Sequence, residues 1–335
     1  MEIGKLSNED LENLVLKKIP KPQSTLVKSG AGVGIDSAVL DLGEKLLVVS
    51  SDPITAGGDV SGSLSIYVSC NDIAAGGATP SFVLLVLLAP PSSTKEEIEG
   101  AIDQAVAAAK NIGVDIVGGH TEVTDAVRRM VITTTAFGIR DSAKPFLLGK
   151  ALPGDTLLMT KSAGIEGSLI AIDAKKDILE KNLSVDEIQE VNSFFSSLSI
   201  VEDGAAALLS MDSDKKEDLP SLHLMHDITE GGVYGAAYEM AALSGIGVTL
   251  YPNQIPVAPV TRKITDIFSI NPMRFISSGS LLMASSDPEA VEKQMNRKNI
   301  PCTRIGEFQK DGFFLCENGE KEILSPPAAD EVYKL

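Results

Sequence analysis

The alternation of apolar and polar positions along the first part of the chain predicts a mixed sheet. Two β-type runs flank Gly43-Glu44, which is typical of a hairpin. A longer apolar run after Thr79 predicts a buried strand. Strands are predicted at 37–42, 45–51, 80–90, 114–117 and 130–138.

Two helices are predicted between these strands. Residues 95–111 follow an amphipathic period, and Thr94 with Glu97 forms a capping-box pattern at its start. Residues 63–76 are nearly all small or apolar, which predicts a helix buried on most sides. Helices and strands together indicate a β-α-β arrangement that ends near Arg140.

The second half of the chain repeats this alternation of strand and helix patterns. A turn at 151–155 precedes its first strand, so we expect a first domain over 1–147 and a second over 148–335. The polar segment 212–218 indicates an insertion. Strands are predicted at 156–160, 222–225, 247–250, 280–284, 302–307 and 313–316, and helices at 185–198, 201–211, 233–243, 259–269 and 288–297.

Composition excludes several classes of protein. With 335 residues, 44% hydrophobic and 22% charged, the chain has enough apolar surface for a folded core. Its 29 Lys and Arg against 46 Asp and Glu give a net charge of −17, which disfavours nucleic acid as a partner. The longest apolar run, 82–89, is far shorter than the ~20 residues of a membrane span, so we expect no membrane partner and a cytoplasmic location.

Acidic residues stand beside glycine or proline in four places where regular structure is expected to break. Carboxylates next to flexible backbone suit hard cations, and backbone N–H groups suit the phosphates that accompany them. The alternative is that Asp and Gly simply mark turns. The four segments are 32–39, 51–53, 71–77 and 118–122.

Asp72 is difficult to explain as a turn residue, because it lies within the small, apolar helix predicted at 63–76. Burying an ionised carboxylate costs several kcal/mol unless it is paired or binds a metal. A cation is therefore the simpler hypothesis, although an N–H or Lys partner would also serve.

A fifth segment, His226-Asp-Ile-Thr-Glu-Gly-Gly232, is predicted between a strand and a helix. Its glycines and the N–H groups of the helix start suit an anion, and a simple helix cap is the alternative. His120 and His226 are candidate acid-base groups, whereas His223 on a predicted strand is more typical of a structural residue.

These five segments, in this order, resemble the ATP-binding superfamily of aminoimidazole ribonucleotide (AIR) synthase, which includes selenophosphate synthetase, thiamine-monophosphate kinase and the hydrogenase-maturation protein HypE. The strongest piece is Val68-Ser-Cys-Asn-Asp-Ile-Ala-Ala-Gly-Gly-Ala-Thr-Pro80. Gly118-Gly-His-Thr-Glu122 and the fifth segment are most similar to the HypE branch and its AIR-synthase-related relatives. The resemblance covers nearly the whole chain.

The resemblance implies an α+β, two-domain fold. In it, the first domain dimerises so that sheets of two subunits form a β-barrel, and a second α/β domain packs outside. ATP and Mg²⁺ are the implied cofactors, bound in a cleft between the domains. A homodimer is the implied assembly, with an unknown small-molecule or protein acceptor as the other partner.

The resemblance also implies roles residue by residue. The sequence departs from the family pattern at two places. Some relatives carry an acid where this chain has His120. HypE ends in a cysteine, whereas the last residues of this sequence are Glu331-Val-Tyr-Lys-Leu335. The implied metal ligands are Asp36, Asp52, Asp72 and Glu122, the implied nucleotide-contacting residues are Gly32, Gly34, Asn71, Gly118 and Gly119, and the implied catalytic residues are Asp72, Asp227 and His120.

The function expected from these residues and this resemblance is ATP- and Mg²⁺-dependent phosphorylation of an oxygen on a small or peptide-borne acceptor. The rival from a different class is a nucleotide-binding maturation or assembly factor with little turnover. A paralogue that kept the fold and lost the site is a third alternative. The sequence leaves the acceptor open.

Overall fold

The computed structural model describes residues 6, 8–55, 60–211, 219–327 and 329–335. Within these residues the chain forms two sheets, one of six strands in the first half and one of seven in the second. The predicted insertion at 212–218 lies outside the described residues. Two domains of mixed helix and strand are therefore confirmed, and the boundary at 147/148 stays a prediction.

The described part of the first domain forms one sheet with helices on one face. Its strand order is β1-β2-β3-β6-β4-β5, and all pairs are antiparallel except β4 with β5. The predicted capping box opens α3. The elements are α1 (Asn8–Asp10), β1 (Val27–Ser29), β2 (Ala38–Asp41), β3 (Lys45–Ile54), α2 (Ser61–Ala75), β4 (Thr79–Ala89), α3 (Lys95–Ile112), β5 (Asp115–Val123) and β6 (Val131–Asp141).

The described part of the second domain forms the larger sheet, in the order β13-β12-β9-β11-β7-β10-β8. Only β9 and β12 pair in parallel. The elements are β7 (Thr156–Thr160), α4 (Ile165–Ala174), α5 (Lys176–Asn182), α6 (Val185–Ser193), α7 (Val201–Leu208), β8 (Leu222–Asp227), α8 (Gly232–Ser244), β9 (Gly247–Leu250), α9 (Pro259–Ile267), β10 (Leu281–Ser285), α10 (Pro288–Arg297), β11 (Cys302–Gln309), β12 (Phe313–Glu317) and β13 (Glu320–Ile323).

Helix α2 lies at the junction of the two domains, which explains its lack of a polar face. Thirteen of its fifteen residues are buried, because it packs on β3, β6 and α3 of its own domain and on α7 and β8 of the other. Gly62 permits the closest approach to α3, since a Cβ there would lie 2.0 Å from the carbonyl oxygen of Ala101. The predicted buried helix is thus the element that joins the domains.

No single helix in the described part of the chain is long and apolar enough to cross a bilayer. The bent pair Val185–Ser197 and Val201–Met211 meets the length and composition criteria only when its two helices are joined across a 53° bend.

The first sheet has one face that its own helices do not cover. On β4, Val83, Leu85 and Leu87 are buried beneath α2 and α3, while the alternate side chains point away from them. Those side chains form the outer face, with Phe82 stacked on Phe137 at a ring-centroid distance of 5.1 Å. Strand β5 is the sheet edge, and eight of its nine residues are exposed. An apolar face beside an open edge is a surface that favours pairing with another chain. The outer face comprises Phe82, Leu84, Val86, Leu88, Phe137 and Ile139.

We expect the outer face to form the predicted homodimer. Leu84→Asp places a charge at its centre and is expected to give a monomer, because desolvating a carboxylate there is costly. Leu209→Asp is the matched control in the second domain, since the two leucines are 38% and 39% exposed. Sedimentation equilibrium at micromolar concentration measures both variants. A monomeric wild type, or a Leu84→Asp dimer as stable as the control, would contradict the expectation.

Candidate functional site

Two carboxylates of the first domain meet beneath α2. The Ser50 hydroxyl lies 2.5 Å from Asp72 Oδ2 and 3.1 Å from Asp52 Oδ2. Asp52 stands in register with the fully buried Thr134, so its side chain is on the sheet face that α2 covers. Strand β3 and helix α2 therefore hold Asp52 and Asp72 on either side of the Ser50 hydroxyl, and their role as metal ligands stays a prediction.

The second domain brings a histidine and more carboxylates to the same junction. At the end of β8, His226 Nδ1 lies 3.4 Å from Asp36 Oδ2 and 3.7 Å from Asp227 Oδ1. Its Nε2 lies 3.6 Å from Glu239 Oε2 on α8. Candidate ligand atoms of Asp36, His226 and Asp227 all lie within 4.8 Å of one another, the one group of this kind in the described part of the chain. We call Asp36, Asp52, Asp72, His226, Asp227 and Glu239 the acidic junction.

The acidic junction is electrostatically strained. Burial, together with the charges of Asp227, Asp52 and Asp36, raises the pKa of Asp72 well above its ordinary value. Asp227 Oδ2 is buried without a hydrogen-bond partner among the described residues. A buried carboxylate oxygen without a partner is rare in folded proteins and suits a cation. Converging carboxylates of this kind fit Mg²⁺, which takes oxygen ligands from protein and phosphate.

His226 supplies positive charge within the acidic junction. Burial lowers its pKa, but Asp36, Asp227 and Glu239 outweigh that effect and raise it to about 10. Its Nδ1 also lies 2.7 Å from the Asp227 carbonyl oxygen, which suits a donating N–H at that nitrogen. The protonated ring therefore offsets part of the carboxylate repulsion.

The glycine-rich loop of the first domain lies beside the acidic junction. The Ile35 N–H donates to the Gly32 carbonyl at 3.3 Å, which closes a turn. Gly34 adopts a positive φ of 72°, and a Cβ there would lie 3.4 Å from the carbonyl oxygen of Glu239. The loop thus packs on α8, next to the Glu239 and Asp36 carboxylates. Contact of Gly32 and Gly34 with a nucleotide stays a prediction.

Asn71 connects the two domains in the structure. Its fully buried carboxamide donates to the Leu198 carbonyl and accepts from the Ile200 N–H, both at 2.9 Å. Lys161 holds the same segment by donating to the Ser199 carbonyl at 2.8 Å. The side chain predicted to contact nucleotide is therefore occupied by backbone groups of the second domain.

Asn71→Ala is expected to lower the free energy of unfolding by roughly 2–4 kcal/mol, because it leaves a buried N–H and a buried C=O without partners. Asn111→Ala is the control, since exposed Asn111 makes one long 3.3 Å hydrogen bond to Tyr67. Urea unfolding followed by circular dichroism measures both variants. Equal losses of unfolding free energy in the two variants would mean that the Asn71 hydrogen bonds to the second domain contribute little to stability.

Strand β5 carries the remaining predicted site residues, and the structure does not bring them to the acidic junction. His120 and Glu122 stand in register with Val86 and Leu88, on the outer face of the sheet, with His120 Nε2 3.1 Å from Glu122 Oε2. They lie three strands from Asp52, about 14 Å, and on the opposite face. Within one chain, Glu122 is therefore apart from Asp36, Asp52 and Asp72, and its metal role stays a prediction, as does the catalytic role of His120.

Gly118 and Gly119 also lie within β5 rather than in the loop that the sequence suggested. A Cβ on Gly119, whose φ is +151°, would come within 1.8 Å of the Leu85 carbonyl oxygen. Gly119 therefore serves the close approach of β5 to β4 in this chain. Nucleotide contact by the two glycines is a prediction that one chain does not test.

Three residues in or beside the acidic junction were not among the metal, nucleotide or catalytic residues expected from the sequence. Ser50 carries no motif of its own, and His226 was weighed only as a general acid-base candidate. Glu239 did have a signal, because it is the one charged residue of α8, as Asp72 is of α2. A lone carboxylate in an apolar helix is thus the pattern shared by both.

Comparison with known proteins identifies the family of the chain. Residues 34–140 match the family profile described as "AIR synthase related protein, N-terminal domain", and residues 153–315 match that of the C-terminal domain. The chain belongs to the AIR synthase related protein family. The Asp36, Asp52, Asp72, His226, Asp227 and Glu239 side chains all fall within the matched ranges.

Curated relatives extend over most of the chain. A putative hydrogenase expression/formation protein of Methanocaldococcus jannaschii is 28% identical over 86% of this chain and 82% of its own length. Carbamoyl dehydratase HypE of Cupriavidus necator is 27% identical over 76% of this chain and 69% of its own length.

Solved structures share the fold. HypE in complex with ATP superposes with a TM-score of 0.70 at 20% identity, covering 98% of this chain and 97% of that one. Thiamine monophosphate kinase from Aquifex aeolicus gives a TM-score of 0.68 at 17% identity, covering 96% and 99%. The predicted AIR-synthase-like fold is confirmed for the single chain, and the intersubunit barrel stays a prediction.

Asp72→Asn is expected to raise the free energy of unfolding in chelator at neutral pH, because it removes a buried charge that Asp227, Asp52 and Asp36 repel. A carboxyl whose pKa is raised by folding loses stability as pH rises through that pKa, so the variant is also expected to lose less stability on going from pH 5 to pH 8. Asp115→Asn, at an exposed position of β5, is the control. Thermal unfolding measures the difference. A less stable Asp72→Asn would contradict the description of the acidic junction.

Proposed function

We propose that the chain binds Mg-ATP at the acidic junction and phosphorylates an oxygen of an acceptor. The observation that carries this proposal is that carboxylate oxygens of Asp36 and Asp227 lie within 4.8 Å of each other at the domain junction, and that one Asp227 oxygen is buried without a hydrogen-bond partner among the described residues. Asp72 is near enough for the charges of both to raise its pKa. A divalent cation between these oxygens would remove their repulsion and attract a triphosphate.

The prediction of an ATP-dependent enzyme of the AIR synthase superfamily is confirmed at that level. Two relatives are named carbamoyl dehydratase HypE. One is 27% identical over 76% of this chain, and the other is 26% identical over 70% of it. A HypE structure of the same fold is in complex with ATP, and a thiamine monophosphate kinase structure is complexed with AMPPCP. The reaction and acceptor of this chain belong to the proposal.

In the proposed mechanism, positioning and charge neutralisation do most of the work, because phosphoryl transfer asks little covalent chemistry of the protein. Mg²⁺ would neutralise the phosphate charge as it builds. Asp36, Asp72 and Asp227 would hold it, with Asp52 beside them. The acceptor oxygen forms a bond to the γ-phosphorus while the bond to the ADP oxygen breaks, and ADP leaves with that electron pair.

Three further parts of the chain would assist. The N–H groups of the turn around Gly32 and Gly34 would donate to phosphate oxygens, since the loop lies on α8 next to the acidic junction. Protonated His226 would keep Asp36 and Asp227 in place through its Nδ1, at 3.4 and 3.7 Å. Asn71 would fix the two domains at one separation.

Incubation with Mg-ATP and a panel of carboxylate, amide and alcohol acceptors, followed by phosphorus NMR, tests the proposal. The wild type is expected to form ADP and one phosphorylated product. Asp72→Asn is expected to lower the rate at least a hundredfold, because one metal-holding charge is lost, and exposed Asp115→Asn to leave it unchanged.

Calorimetric titration of Mg-ATP into the same proteins distinguishes the enzyme from the rival hypothesis of a nucleotide-binding assembly factor. Tight, Mg²⁺-dependent binding of ATP without ADP formation for any acceptor would contradict the enzyme and support the assembly factor. The name of one relative, a putative hydrogenase expression/formation protein, also supports the assembly factor. Equal Mg-ATP affinities for wild type and Asp72→Asn would contradict both.

A further inference from the structure

A groove with a volume of about 700 Å³ runs between the two domains, outside the acidic junction. Its first wall comes from the first domain and includes Thr55, Ser61 and Arg129. Its second wall comes from α4, α5 and α6 of the second domain. A volume of this size is typical of small-molecule sites.

The groove approaches the acidic junction along two elements. Thr55 follows directly after β3 and stands three residues beyond Asp52, a distance of about 10 Å in an extended strand. Ser61 begins α2, whose other end carries Asp72 about 16 Å away. A groove ligand that extends about 10 Å from Thr55 along β3 would therefore reach Asp52, beside the proposed triphosphate site.

The first wall is cationic, in a chain whose net charge is −17. Arg129 is exposed and forms no ion pair with a described residue. A guanidinium without an ion-pair partner suits a carboxylate or a phosphate.

The second wall is mainly apolar. Its side chains include Leu169, Ile172, Leu179 and Ile188, of which Leu179 is 1% exposed. The charged side chains on this wall are Asp173 and the pair Lys176 and Glu180, whose Nζ and Oε1 atoms are 3.9 Å apart. The two walls therefore differ in chemistry, with an anion site on one and an apolar surface on the other.

We propose that this groove binds the acceptor, and that the acceptor is a small molecule with a carboxylate or phosphate group next to an apolar body. The anionic group contacts Arg129, and the apolar body lies on Ile172 and Ile188. The assignment as acceptor site rests on the proposed function. The ligand chemistry rests on the two walls alone.

Three probes of similar shape test the ligand chemistry: phenylbutyrate, phenylpropyl phosphate and the neutral phenylbutanol. They are titrated without nucleotide into protein labelled with ¹³C at the isoleucine methyl groups. At least one anion is expected to bind five or more times tighter than the alcohol and to shift the methyl signals of Ile172 and Ile188. The tighter anion identifies carboxylate or phosphate as the preferred group.

Arg129→Gln is expected to abolish the preference for the anion, and Arg129→Lys to keep part of it. Arg128→Gln is the matched control, because Arg128 is its exposed neighbour and does not line the groove. Equal affinities for anion and alcohol, unshifted signals of Ile172 and Ile188, or equal losses in the Arg128 and Arg129 variants would overturn the proposal.

The same samples separate this proposal from the proposed function. Groove binding is expected to survive Asp72→Asn, which weakens Mg-ATP binding. If Mg-ATP binds and turns over while the probes fail, only the groove assignment falls. If the probes bind as expected while Mg-ATP does not bind, the ligand chemistry stands and the role as acceptor site is overturned.

Discussion

Mutual repulsion among buried carboxylates is the constraint on which this structure depends. Asp72 would not remain ionised in the apolar α2 without compensation, and the charges of Asp227, Asp52 and Asp36 add to its cost. The Ser50 hydroxyl and protonated His226 offset part of this cost, and carboxylate oxygens of Asp36 and Asp227 lie close enough together to share a divalent cation. Because these groups come from both domains, the site exists only while α2 stays packed between them.

The fold was predictable where burial gives a periodic pattern. The hairpin of β2 and β3, the buried α2 and the capped α3 all follow from alternation, composition or caps. Helix α4 was not predicted, because half of its residues are buried and its sequence pattern has no clear polar face. Strand β5 extends to Val123 rather than to the predicted 117, because eight exposed residues at a sheet edge leave no alternation of apolar and polar positions.

The site was predictable where the physics is local to a segment. An acid in an apolar helix pointed to Asp72, acids beside glycine or proline pointed to Asp36 and Asp52, and the family resemblance pointed to Asp227. Which acids meet is a tertiary property, so the separation of Glu122 by three strands and one sheet face was beyond the sequence. The same holds for Asn71, whose carboxamide binds backbone groups more than 120 residues away in the chain.

The most direct test is anomalous diffraction from crystals grown with Mn²⁺ and a non-hydrolysable ATP analogue. The account predicts a manganese peak about 2.2 Å from carboxylate oxygens of Asp36, Asp72 or Asp227 and bonded to phosphate oxygens of the analogue. A metal bound elsewhere, or an analogue bound with its phosphates away from the acidic junction, would contradict the account.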